Sequence, residues 1–230
     1  MTRAPALLAE RVCKAYGSGP TTYPALRGVS FELRSGELAV LRGPSGSGKS
    51  TLLNVLCGWE APDSGALRWS LDDGGRADQA FDRLAWAQLA IVPQSMGLLD
   101  ELSLRENVAL PGRLAFGAAR QDLVGLELLL DQVGLATAAG RLPAEASLGE
   151  QQRAAVARAL LLTPAVVLAD EPTAHQDAHW VHHIFRLLRA AADGGTACLV
   201  ATHSIEGLTY ADRVLEIRDG RLDDGETPSG

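Results

Sequence analysis

Residues 43–51 read Gly43-Pro44-Ser45-Gly46-Ser47-Gly48-Lys49-Ser50-Thr51, and an apolar run, Leu38–Leu41, leads into them. Gly43, four residues, then Gly48-Lys49-Ser50 is the spacing of a phosphate-binding loop set between a strand and a helix. The glycines let backbone N–H groups turn inward. A helix starting at Lys49 adds unpaired N–H groups and the positive end of its dipole. In that arrangement Lys49 neutralises charge on the β- and γ-phosphates and the Ser50 hydroxyl holds Mg²⁺. Leu52, Val55 and Leu56 then share one helical face, and Gly58 is the expected stop. By itself the loop implies a nucleoside triphosphate and selects no reaction.

Three more apolar runs, Val166–Ala169, Ala197–Ala201 and Val214–Ile217, are nearly continuous rather than alternating. That pattern predicts parallel strands covered by helices on both faces. The runs ending at Leu41, Ala169 and Ala201 each meet a polar or Gly-rich turn, where open α/β sheets place their ligands. Residues Gly65–Ala90 are weakly patterned, and Asp72-Asp73-Gly74-Gly75 reads as a turn. From Leu98 to Gly140 the character is helical. Leu123, Leu126, Leu130 and Val133 fall on one helix face, which predicts a separate helical lobe. Asp219-Gly220 reads as a turn opening a polar tail that is expected to fray.

Lys and Arg number 21 against 28 Asp and Glu, a formal net charge of -7 with no dense basic cluster, which disfavours nucleic acid as a partner. Cys13, Cys57 and Cys198 are far apart and lack metal-ligand spacing, so they are expected to be buried, reduced thiols. Met1–Ala9 lacks the charged, apolar and cleavage regions of a secretory signal. The longest apolar stretch, Ala154–Ala169, is broken by Arg158 and Pro164 and falls short of a bilayer span. The expectation is a soluble chain that works at a membrane only through partners.

Val166-Val167-Leu168-Ala169-Asp170-Glu171 is an apolar strand ending in two carboxylates. Beside a phosphate loop, Asp170 suits the Mg²⁺ shell. Glu171, one residue further on, suits a general base that polarises an attacking water. Ser147-Leu148-Gly149-Glu150 is a capping-box pattern opening a helix, whose N-terminus would aim its dipole at a phosphate supplied by another chain.

Ala146-Ser147-Leu148-Gly149-Glu150-Gln151-Gln152-Arg153 resembles the signature of ATP-binding cassette ATPases, usually Leu-Ser-Gly-Gly-Gln/Glu followed by Gln-Gln/Lys-Arg. The resemblance continues through Ala154–Leu160, and the order of motifs from Tyr16 to His203 covers nearly the whole chain. It implies an α/β fold: a P-loop NTPase (RecA-like) core, an N-terminal antiparallel β region and an inserted helical subdomain. One domain, 1–230, is expected, with the core in residues 1–95 and 160–230 and the helical part in 96–159.

Roles follow from the same resemblance, one residue at a time. Tyr16 would stack on adenine, with a merely packed surface tyrosine as the plainer alternative. Gln94 would reach Mg²⁺ and the water. His203 would contact the γ-phosphate, and Asp177 closes the loop that crosses a dimer interface. The cassettes of the family pair head to tail, so that Ser147, Gly149 and Glu150 would face the ATP held by a second subunit. The implied ligands are ATP and Mg²⁺. The implied partners are an integral-membrane permease and a second cassette, a homodimer being favoured over a heterodimer. The implied location is peripheral, on the cytoplasmic face of a bacterial-type membrane.

Leu98–Val108 and the extra residues between Tyr16 and Ala25 resemble the lipoprotein-release and macrolide-exporter branch, which points to export or extraction. The alternative is a regulator that signals across a membrane without moving a substrate, as in cell division. A soluble DNA-repair or translation cassette would carry coiled-coil insertions, zinc motifs or a second cassette. Three places depart from the family pattern, the first being Ala146, where a leucine is usual. Leu148 stands where a glycine is usual, a backbone strain if the site needs positive φ. Ala174-His175-Gln176-Asp177 replaces Ser-Ala-Leu-Asp or Gly-Asn-Leu-Asp.

Overall fold

The computed structural model describes residues 5–70, 76–77, 86–116 and 125–224. The turn expected at Asp72–Gly75 and the residue Leu123 lie outside them. Two long strands open the chain, β1 (Pro5–Tyr16) and β2 (Tyr23–Arg34), paired antiparallel. With β4 (Ser64–Ser70) and the two-residue β5 (Arg76–Ala77) they form a sheet in the order β2-β1-β4-β5. The second sheet holds β3 (Leu38–Arg42), β6 (Leu89–Val92), β7 (Val166–Asp170), β8 (Ala197–Ala201), β9 (Arg213–Arg218) and β10 (Arg221–Asp224). Its order is β10-β9-β3-β8-β7-β6, with β10 antiparallel to β9 and every other pair parallel.

The continuous apolar runs are explained by which face each residue serves. Ala39, Leu41, Leu168, Leu199 and Leu215 point to a core shared with the first sheet and with helix α1 (Lys49–Leu56). Leu38, Val167, Ala169, Cys198 and Val200 point the other way, onto α4 (Leu148–Leu160) and α5 (Ala178–Asp193). Each buried Leu or Val contributes about 1.5–3 kcal/mol, so neither face tolerates a polar alternate residue. Helices α2 (Leu104–Phe116) and α3 (Leu126–Gln132) pack on α4 through a third core that includes Leu104, Val108, Leu130 and Leu135.

Several expectations need correction. The stretch Gly65–Ala90 contains most of β4, the short β5 and the start of β6. β4 is half exposed, and the long partner it pairs with, β1, lies far back in the chain, β5 adding only a two-residue edge. The tail does not fray at once: Asp219-Gly220 turns the chain into β10. Helix does not begin at Leu98. Residues 99–103 form a turn organised by Asn107, a fully buried amide whose oxygen accepts from Leu99 N at 2.8 Å. Its nitrogen donates to Leu99 O at 3.0 Å and Leu102 O at 2.9 Å, so buried polar groups there are satisfied without a helix. Helix α2 starts only after Ser103, whose side chain and that of Glu106 cap each other's backbone N–H. All three cysteines are free, but only Cys198 is buried; Cys13 and Cys57 are half-buried. Burial pushes the Cys198 thiol up to about 12 and the Cys57 thiol to about 11.

Candidate functional site

The C-terminal ends of β3, β7 and β8 open onto one cleft of about 280 Å³. The loop after β3 supplies its floor. Gly48, at φ 106°, caps α1 from a left-handed conformation, and a Cβ there would stand 2.5 Å from the Ala25 carbonyl. A Cβ on Gly43 would meet the Ile217 carbonyl at 2.2 Å, so both positions require glycine. Gly220, in the β9–β10 turn, donates its N–H to Ser47 O at 3.0 Å and accepts from Arg27 N at 2.7 Å, bracing the loop from below.

Lys49 is 8% exposed, and its Nζ donates to Gly43 O at 2.8 Å and Pro44 O at 3.1 Å. The ammonium is thereby drawn back over the loop that precedes it. Ser45, Gly46, Ser50 and Thr51 line the same cleft. Asp170, 7% exposed, enters from the end of β7. An exposed Gln94, two residues past β6, faces it across a cleft continuous with the first through Ser50 and Asp170.

Glu171 follows Asp170 with φ 50°, a left-handed backbone that non-glycine residues rarely take. Its backbone N–H donates to Ala201 O at 2.8 Å. One carboxylate oxygen, Oε2, accepts from Thr202 Oγ1 at 3.2 Å and from His203 N at 3.4 Å. The other, Oε1, is buried and receives no hydrogen bond. His203 Nε2 stands 3.5 Å from it, without hydrogen-bond geometry, on a ring that is more than half exposed. The end of β8 therefore fixes one oxygen of Glu171 and leaves the second as a free acceptor beside a histidine.

Tyr16 borders the cleft with its ring partly exposed, its hydroxyl donating to Glu60 Oε2 at 2.5 Å. Burial, and then the Glu60 carboxylate, push this phenol above its ordinary value, while the Tyr16 donor holds Glu60 below the usual carboxylate range. Tyr23, cross-strand partner of Tyr16, lines the cleft too and donates its hydroxyl to Gly46 O at 3.2 Å. Sequence reasoning missed Tyr23; the signal was available in its place at the far side of the β1–β2 hairpin from Tyr16.

The donor set around Ser50 fits a hard divalent cation. A buried carboxylate, a hydroxyl and an amide oxygen suit Mg²⁺, which keeps waters and takes phosphate oxygens instead of a full protein cage.

Ser147, Gly149 and Glu150 lie outside this cleft, at the exposed start of α4. The capping box is formed: Glu150 N donates to Ser147 Oγ at 3.2 Å and Ser147 N to Glu150 Oε2 at 2.8 Å. That backbone donor, above all, holds the Glu150 carboxyl below its ordinary value, and Arg141 Nη1 pairs with it at 3.3 Å. Leu148 is the first helical residue and is not among the positive-φ positions, so the backbone strain considered for it is absent. Its side chain is 54% exposed. Asp177 caps α5, accepting from Trp180 N at 3.0 Å.

A second groove of about 430 Å³ adjoins the Gln94 end of the site, lined by Trp59, Trp86, Leu99 and Leu110. Arg158, 5% exposed, reaches into its wall from α4 and donates to Gly97 O at 2.5 Å and Met96 O at 2.7 Å.

Comparison with known proteins bears on this arrangement. The ABC transporter family profile matches residues 26–174. The lipoprotein-releasing system ATP-binding protein LolD of Anaeromyxobacter dehalogenans is 40% identical over 92% of this chain and 90% of its own. LolD of Granulibacter bethesdensis is 42% identical over 94% of this chain and 96% of its own. Among solved structures, the dimeric post-hydrolysis state of the ATP-binding cassette MJ0796 with ADP and Pi superposes with a TM-score of 0.84 at 30% identity, over 97% of this chain and 99% of that one.

Proposed function

The chain belongs to the ABC transporter family, and from that premise we propose that it is the ATP-hydrolysing subunit of an export or extraction system whose permease is a separate chain. The observation that carries the reading is the convergence of Lys49, Asp170, Glu171, Gln94 and His203 on one cleft at the strand ends. Among the described residues no helix is long and apolar enough to cross a membrane, so a membrane-spanning partner is part of the proposal. The name of the LolD relatives supports release of a lipid-anchored cargo rather than import.

In this reading ATP lies with its base against Tyr16 and its phosphates along residues 43–51. Lys49 exchanges the Gly43 and Pro44 carbonyls for β- and γ-phosphate oxygens. Ser50, Asp170 and Gln94 would hold Mg²⁺, which when bound offsets charge on those oxygens. Glu171 Oε1, the buried oxygen without a donor, accepts a proton from the attacking water as the water oxygen bonds to the γ-phosphorus and the bond to the β–γ bridging oxygen breaks, ADP leaving with that oxygen. His203 donates toward the same phosphoryl group and steadies its developing charge. Thr202 and the His203 N–H keep the other carboxylate oxygen still during the transfer.

Opening and closing of the cleft reaches the surface through Gln94. The residues beside it, Pro93, Ser95 and Gly97, line the apolar groove of Trp59 and Trp86. That groove is the proposed seat for the permease. Two copies of this chain, each offering Ser147–Glu150 to the other's ATP, make the proposed working pair.

Glu171→Gln is the direct test. ATP turnover is expected to fall about 100-fold or more while ATP still binds. The variant, held with ATP, is expected to run as a dimer on size-exclusion chromatography. Turnover at the wild-type rate would remove Glu171 from the mechanism, and a monomer with ATP bound would remove the homodimer.

A further inference from the structure

Side chains that play no part in the roles above sew helix α4 to the loop carrying Glu171. Gln152, in the second turn of α4, is fully buried. Its Nε2 donates to the Glu171 carbonyl at 3.3 Å, and its Oε1 lies 3.3 Å from His175 Nδ1. With Nε2 committed as donor, Oε1 is the acceptor and His175 Nδ1 carries the proton. Gln176 extends the seam: its Nε2 donates to Gly149 O at 2.9 Å, and its Oε1 accepts from Arg153 Nη1 at 3.2 Å. Arg153 is itself fixed, with Nε donating to Val133 O at 2.8 Å and its guanidinium 4.1 Å from the Trp180 ring centroid.

Glu171 is the residue that needs such support. Its backbone is left-handed, and among the described residues its carbonyl otherwise receives only the Ala174 N–H, at 3.1 Å, from its own turn. A left-handed non-glycine residue persists only where its surroundings over-determine it. The supporting residues also account for a sequence oddity. His175 and Gln176 are two of the three residues, with Ala174, by which this loop departs from the usual cassette pattern, and both are spent on α4.

We propose that Gln152 and His175 are positioning residues for hydrolysis: together they hold the Glu171 main chain in its left-handed conformation and so aim Oε1 at the water. This rests on the reading of Glu171 as the base. It extends that reading, because the support comes from the same helix whose first turn is offered to a second ATP. The aim of Glu171 is thereby tied to the placement of α4.

The test uses the full-length chain and steady-state ATP turnover, with ATP affinity measured separately by titration. His175 is exposed, so His175→Ala leaves the core intact; Gln152→Met keeps the buried volume and removes both polar atoms. His175→Ala is expected to lower kcat about 5-fold and Gln152→Met about 10-fold, with KM for ATP unchanged. Because the two act in series, the double variant should be no slower than Gln152→Met alone. His175→Asn, which keeps an N–H donor, should regain most of the rate. Unchanged kcat in the single variants, a KM rising in step with the loss, or additive losses in the double variant would each overturn the proposal. If Gln152→Met does not fold, the contrast between His175→Ala and His175→Asn decides alone. Glu171→Gln separates the two readings: if it is inactive while the His175 and Gln152 variants run at full rate, only the positioning role is lost. If it turns over normally, the base itself is misassigned.

Discussion

Helices α1 and α4 both begin with N–H groups and a positive dipole end, but they are enclosed to different degrees. The start of α1 is walled by its own chain. Lys49 is buried, Gly48 backs onto Ala25, Tyr23 reaches Gly46, and Gly220 braces Ser47. The start of α4 is more open: Ser147 and Leu148 are exposed, and beyond the capping box and Arg141 it is Gln176 that reaches its first turn, at Gly149 O. In the proposed reading the same local physics gives a walled anion site in one case and half of one in the other. What separates them is whether distant segments of the same chain return to supply the walls.

The contrast breaks most readily at Lys49. Lys49→Ala is expected to weaken ATP binding by about 100-fold, the loss of a buried charge partner, and a titration calorimeter reads it directly. If the single chain still bound ATP tightly, α1 would not be the complete site. At α4 the expected effect is smaller and of another kind. Ser147→Ala removes the cap and should lower stability by about 1 kcal/mol in chemical denaturation, with ATP affinity of the isolated chain unchanged. A parallel loss of affinity would mean that α4 contributes to a site within its own chain. The smallest expected effect sharpens the comparison. Leu148→Gly, which clears bulk from the exposed helix start, should raise turnover of the assembled transporter roughly 3-fold, less than 1 kcal/mol of barrier. No rise, with binding unchanged, would mark the position as neutral.

The parts of the molecule that were readable in advance are those whose signal is local and complete. The runs at Leu38–Leu41, Val166–Ala169 and Ala197–Ala201 carry apolar residues on both faces, and the structure needs both. The spacing from Gly43 to Ser50 encodes its own backbone geometry. Strand β4 was hidden because half of it faces solvent and its partner lies far back in the chain. The turn at residues 99–103 was hidden because Asn107, a residue that reads as ordinary helix, holds it by four hydrogen-bonding contacts. Of the candidate site, the acids and the lysine were legible as residue types at strand and helix ends. The hydroxyl of Tyr23 on Gly46, and the seam from His175 through Gln152 to Glu171, exist only once separate elements meet.

The bond from Gly220 to Ser47 has a consequence for the order of events as the chain is made. Ser47 leaves the ribosome well before Gly220, and chains generally fold from the N-terminus as they emerge. Until then the phosphate loop lacks its brace, and β3 lacks β9 on one side and β8 on the other. The braced form of the phosphate loop therefore has to wait for β8, β9 and the turn after β9, however early residues 43–51 themselves emerge.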